Sequence, residues 1–114
     1  MKYLVLSAAL AAMMPAAAAA QQVDADMRCL LVSHAFAAGS KVEAEKRVAG
    51  LSEAFYLGRI DARIAPSALV GAVRAQGKGV AATEAAAIMN ACAAKAEQAN
   101  KRLQAAGQQA AAGK

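Results

Sequence analysis

This chain has few of the side chains from which active sites and metal centres are built. Among its 114 residues there are one histidine, two cysteines and no tryptophan. The histidine, His34, belongs to no H-x-x-x-H or C-x-x-C-H motif, and the cysteines form no C-x-x-C motif. The spacings typical of zinc proteases, c-type haem proteins and thiol–disulfide oxidoreductases are therefore missing.

The remaining polar residues do not form a recognisable active site either. Ser33 precedes His34 directly, and on a helix the two side chains would point about 100° apart, which does not suit a nucleophile and its base. Arg59 and Arg63 flank Asp61 and are expected to form a solvated charge cluster. We therefore expect no catalytic, cofactor-binding or metal-binding residue, and we predict that the protein is not an enzyme.

Charge is also sparse and scattered. Thirteen lysines and arginines against eight aspartates and glutamates give a net charge of +5. The only adjacent basic residues are the pairs Lys46-Arg47 and Lys101-Arg102. Scattered charges are typical of solvated helix faces, whereas a nucleic-acid-binding protein usually carries a basic patch. We therefore expect no nucleic-acid partner.

The only long apolar run lies at the N-terminus and has the pattern of a secretory signal peptide. Residues 1–3 include a lysine, residues 4–12 are apolar and uncharged, and residues 18–20 are three alanines. A positive start, an apolar middle and a small-residue end are the signature of a segment that is removed during export. We predict a signal peptide over residues 1–20, with cleavage between Ala20 and Gln21.

A transmembrane anchor is the alternative interpretation of this run. Its apolar stretch of about 17 residues is at the lower limit for spanning a bilayer, and Pro15 interrupts it. We therefore favour a periplasmic protein that is not stably inserted in the membrane after cleavage.

An exported protein reaches an oxidising compartment, where the two cysteines can pair. A bridge between Cys29 and Cys92 is the only possible intramolecular pairing. Such a cross-link would stabilise a small domain that has few large apolar side chains. Two free thiols and an intermolecular bridge remain the alternatives.

The signals along the chain predict helices and no strand. Asp24 or Asp26 is a reasonable N-cap for a first helix, and Gly39 is a typical C-terminal stop. Ser40 and Glu43 fit the capping box S-x-x-E of a second helix. The predicted helices span about 24–38, 41–63, 66–75 and 83 to 104 or 106.

The later helices have weaker signals. Pro66 starts the short helix, and its inward face is predicted to contain three apolar residues, Leu69, Val70 and Val73. A glycine-containing turn follows, and Thr83 is the predicted N-cap of the last helix. The buried stripe of that helix is predicted to contain Ile88, Cys92, Ala99 and Leu103.

These elements predict one all-α domain, a bundle of about four helices over residues 21–106. After Gly107 the alanines and glutamines have no core on which to pack, so residues 107–114 are expected to form a flexible tail.

The central segment, residues 51–64, contains two apolar stripes on different sides of one helix. Spacings of three and four predict a core stripe of Val48, Leu51 and Phe55. Spacings of four predict a second stripe, and we interpret it as a binding surface, with Tyr56 either in the core or at the edge of a groove. This second stripe consists of Tyr56, Ile60 and Ile64.

Two resemblances concern this layout. Met27-Arg28-Cys29, followed later by residues 55–61, resembles a set of small exported alphaproteobacterial proteins of unknown function. The order of signal peptide, early cysteine, aromatic central helix and late cysteine resembles the acid-stress chaperones of the bacterial periplasm, the HdeA-type fold. That second resemblance implies a helical protein that releases apolar surface at low pH.

Two functions fit these observations. The first is a non-catalytic binding or chaperone-like protein that presents the region around Phe55 and Tyr56 to an apolar protein client. The second is an accessory or inhibitory protein that docks on a folded cell-envelope partner through its charged faces. A homo-oligomer is compatible with either function.

Overall fold

The computed structural model describes residues 16–113, and within this range the secondary structure is helical without a β-strand. The four α-helices are α1 (Ala16–Gly39), α2 (Glu43–Asp61), α3 (Leu69–Ala75) and α4 (Ala82–Ala112). A single turn of 3₁₀-helix, Pro66–Ala68, precedes α3. The prediction of an all-α bundle of about four helices is confirmed.

The first helix begins earlier than predicted. Residues 1–15 of the predicted signal peptide lie outside the described residues, and residues 16–20 form the first turns of α1. The predicted cleavage site between Ala20 and Gln21 therefore falls inside a continuous helix. Alanine and glutamine are good helix formers, which favours a helix over residues 16–22 ahead of the predicted start.

α1 and α2 form an antiparallel hairpin with small side chains at its centre. Ser33 on α1 and Ser52 on α2 are fully buried, and their hydroxyl oxygens form a hydrogen bond of 2.8 Å. Ala49, one turn earlier on α2, is also buried. Small side chains let the two helices approach closely, and the hydrogen bond satisfies both buried hydroxyl groups.

The turn between α1 and α2 differs from the predicted capping box. α2 begins at Glu43, with Val42 as its N-cap. The Ser40 hydroxyl accepts a hydrogen bond from the Val42 amide at 3.3 Å and donates one to Glu45 Oε2 at 2.7 Å. Ser40 therefore closes the turn before the helix, and its carboxylate partner is Glu45 rather than Glu43.

α3 contacts the core along one edge only. Leu69 and Ala72 are half-buried and pack against the main core cluster. Val70 and Val73 were predicted to face inward, but they are exposed. Residues three apart share one side of a helix, so a short helix resting on one edge covers 69 and 72 and leaves the other two valines outside.

The turn that leads to α4 depends on two glycines. Gly77 and Gly79 have φ angles of +62° and +75°, which side chains with a Cβ atom rarely adopt. The N-cap of α4 is Ala81 rather than the predicted Thr83. The Ala85 amide bonds to the Ala81 carbonyl at 3.0 Å, so helical hydrogen bonding starts before Thr83 is reached.

α4 continues beyond the end predicted near residues 104–106 and reaches Ala112. The residues after 103 are mostly alanine and glutamine, whose helix propensity sustains the helix without tertiary contacts. Every residue from 100 to 113 is exposed. Leu103 was predicted to lie on a buried stripe, but it is 71% exposed because α1 and α2 do not cover this part of α4.

The core is organised around Cys92 of α4. Cys92 is buried and forms the predicted disulfide with Cys29 of α1, with the two Cα atoms 5.5 Å apart. The Tyr56 hydroxyl of α2 donates a hydrogen bond of 2.9 Å to the Cys92 carbonyl. α1 and α2 are therefore both attached to α4 at one residue. The other buried side chains of this cluster are Met27, Leu30 and Ile60.

We predict that loss of the disulfide lowers the thermal midpoint by more than about 10 °C. The chain-entropy model gives about 4 kcal/mol for closing a loop of this length, and about 1 kcal/mol shifts the midpoint of such a domain by several degrees. Circular-dichroism melts of Cys92→Ser measure the loss. Reduced wild-type protein is the control, since it lacks the bond without placing a hydroxyl group in the core. An unchanged midpoint in both samples contradicts the prediction.

Candidate binding groove

The stripe predicted as a binding surface, Tyr56, Ile60 and Ile64, lies in the core instead. Tyr56 and Ile60 are each 1% exposed, and Ile64 is half-buried against the same cluster. The disulfide holds α1 and α4 together on this side of α2, so their side chains cover the stripe. Tyr56 and Ile60 are therefore core residues in this fold rather than parts of an open surface.

A buried carboxylate lies beside this core. Asp26 was one of two N-cap candidates, with Asp24, but both lie inside α1. Asp26 is 3% exposed, and its Oδ2 accepts hydrogen bonds from Arg59 Nε at 2.9 Å and Arg63 Nη1 at 2.8 Å. The expectation of a solvated cluster around Asp61 is therefore wrong, since both arginines reach back to α1. Their spacing of four residues was the available signal, because it places both guanidinium groups on one side of a helix.

The same charges act on Tyr56. Burial raises the pKa of the Tyr56 phenol above its ordinary value of 10.0, and the neighbouring Asp26 carboxylate raises it further, while Arg59 lowers it. The phenol is therefore neutral at physiological pH, as a donor to the Cys92 carbonyl must be.

His34 and Ser33 have separate partners. His34 Nδ1 lies 3.0 Å from Glu53 Oε1 on an exposed part of the hairpin, whereas the Ser33 hydroxyl is buried against Ser52. The two side chains therefore point in different directions and do not form a nucleophile and base. Within residues 16–113, no group of three or more histidine, cysteine, aspartate and glutamate residues is arranged to hold a metal ion.

The open side of α2 is the stripe that was predicted to be core. Val48 and Leu51 are 50% and 70% exposed, and Phe55 is half-buried. Together with residues 93–103 of α4 they line a groove of about 680 Å³ between the two helices. Leu103 stands on the α4 side of this groove.

The groove is open because half of the α4 side chains that line it are short. The α4 residues that face Leu51 and Phe55 include three alanines, Ala93, Ala96 and Ala99. A methyl group cannot reach across to α2, so the space that larger residues would fill stays empty. The spacing of apolar residues along α2 shows that the Leu51 stripe and the Tyr56 stripe lie on different sides of the helix. Which of the two is buried depends on the side on which α4 packs.

The groove walls favour an apolar occupant. Two of the polar residues on the lining are Glu97 and Asn100, and Glu97 pairs with Lys101 at 3.1 Å. The guanidinium group of Arg59 lies over the Phe55 ring, 5.5 Å from its centroid, while its Nε is bonded to Asp26. Glu97 and Arg59 are therefore already paired within the chain.

No helix within residues 16–113 is both long enough and apolar enough to cross a membrane. Comparison of the chain with protein-family models, curated proteins and solved structures finds no match. The groove therefore has to be interpreted from its own chemistry.

We predict that the wild-type fold loses stability more steeply above pH 10 than the Tyr56→Phe variant. Because the folded-state pKa of Tyr56 is raised, the unfolded chain releases the phenol proton first. The stabilisation is complete below pH 10 and is lost as the pH rises from there towards the folded-state pKa. Urea denaturation at several pH values measures the free energy of unfolding, and Tyr56→Phe is the control that lacks the titrating group. Parallel pH profiles for the two proteins contradict the prediction.

Proposed function

We propose that this protein is a non-catalytic, chaperone-like binding protein of the periplasm, exported by the signal peptide of residues 1–20, and that it holds an apolar segment of a client protein in the α2–α4 groove. The observation that carries the proposal is the exposure of Val48, Leu51 and Leu103 around one groove. Contiguous exposed apolar surface of this kind marks interaction sites in soluble proteins. The disulfide also suits an oxidising compartment.

The groove suits a helical segment better than an extended one. Both of its walls are helices, whose backbone amides and carbonyls are bonded within the helix. An extended strand would find no backbone partners there, whereas an amphipathic helix satisfies its own backbone and needs only an apolar groove. The short alanine side chains leave room for leucine-sized side chains of the client to enter.

Docking through charged faces has less support. Two of the basic residues that such docking could use, Arg59 and Arg63, are already paired with the buried Asp26. Apolar binding also predicts a different salt response, because added salt screens charge attraction but does not weaken apolar contacts.

We predict that Leu51→Asp weakens binding of an amphipathic helical peptide at least about tenfold. A leucine side chain contributes about 1.5–3 kcal/mol when it becomes buried, and aspartate removes that contribution. The probe is a fluorescein-labelled peptide of leucine, alanine and glutamine, which has no charged side chains, and fluorescence anisotropy measures its affinity. Wild-type affinity should persist in added salt.

The matched control is Leu57→Asp, since Leu57 lies on the same helix, is 47% exposed and does not line the groove. It should bind the peptide as the wild type does. Equal loss in the two variants, or wild-type binding by Leu51→Asp, contradicts a client site in the groove.

A further inference from the structure

The apolar seam of α4 extends beyond the core. Seven α4 residues recur at alternating intervals of three and four, the spacing of a coiled-coil seam. They are Met89, Cys92, Ala96, Ala99, Leu103, Ala106 and Ala110. The first two are buried, the next two are half-buried along the groove, and the last three are exposed. The surface that packs inside the chain therefore continues, uncovered, to the end of α4.

We infer that the groove of one molecule receives the exposed half of α4 from a second copy, which makes the protein a two-fold symmetric homodimer. The inference uses the groove of the proposed function, but it does not require a client. The occupant is an apolar helix with a small-residue face, which is the class of ligand that the groove walls favour. It extends an interface that α4 already makes with α1 and α2 within each chain.

Two-fold symmetry fits an antiparallel pair of α4 helices. Leu103 of each copy then packs against Ala99 of the other and enters the space beside Leu51 and Phe55. The small Ala106 lets the helices approach closely. Both grooves are filled by the same contact, as an isologous interface requires, so the assembly closes at two copies.

The dimensions also fit. From residue 99 to residue 112, α4 extends about 20 Å at 1.5 Å per residue, and the groove wall from Val48 to Phe55 extends about 11 Å along α2. The groove lining supplies ten residues per copy, and Ala106 and Ala110 of the seam add two more, so the interface is a small one. An exposed alanine-rich helix end also gains tertiary contacts that it lacks in the single chain.

The test compares Leu103→Asp with Ala105→Asp by sedimentation equilibrium of the full chain as produced, over a concentration series up to about 100 μM. Residues 103 and 105 lie about 200° apart around the helix, so the control adds the same charge on the opposite side. The wild type and Ala105→Asp should be dimers, and Leu103→Asp should be a monomer. Leu103 is exposed in the single chain, so the thermal melt of each variant should still show a folded domain with the disulfide intact.

A wild type that stays monomeric throughout the series overturns the inference, as does an equal oligomeric state in the two variants. The two proposals fail separately. A monomer that binds the leucine-rich peptide leaves the client function standing without the dimer. A dimer that dissociates on Leu103→Asp but never binds the peptide leaves the dimer standing without the client function.

Discussion

The rest of the structure depends on one constraint, which is that α1 and α2 are both attached to α4 at Cys92. α4 is rich in alanine and has few large side chains with which to hold α1 and α2. The disulfide to Cys29 and the hydrogen bond from Tyr56 join all three helices at one residue. The ion pairs of Asp26 with Arg59 of α2 and with Arg63, just beyond the end of α2, add a second connection between the two helices of the hairpin. The contacts that hold α4 against α1 and α2 are thus concentrated in its first half.

That concentration determines which surfaces are free. The side of α2 that faces the junction is fully covered, while the side with Val48 and Leu51 faces alanines that cannot fill the gap. The second half of α4 projects past both partners with its seam uncovered. A groove and an apolar helix end in the same chain are the physical basis for proposing that a client and a second copy use one site. Client binding would then compete with dimerisation.

The sequence predicted the number of helices and the disulfide, but it did not predict the helix caps or the side of α2 that is buried. The disulfide was predictable because the chain has only two cysteines, and the existence of four helices followed from turn residues and periodicity. Periodicity separated the Tyr56 stripe from the Leu51 stripe, but which of them is covered depends on where α4 attaches. Asp26 was missed because its arginine partners lie more than thirty residues away. The end of α4 was misplaced because propensity alone sustained the helix after its tertiary contacts ended.

The most direct test of this account compares two aliphatic truncations on α2. Ile60 is 1% exposed at the junction, and Leu51 is 70% exposed in the groove. The free energy of unfolding is measured by urea denaturation in the Leu103→Asp background, in which the groove is not filled by a second copy. It should fall by about 2–5 kcal/mol in Ile60→Ala and change by less than about 0.5 kcal/mol in Leu51→Ala. A large loss in Leu51→Ala with little change in Ile60→Ala would show that the buried side of α2 is the opposite one, and would contradict the account.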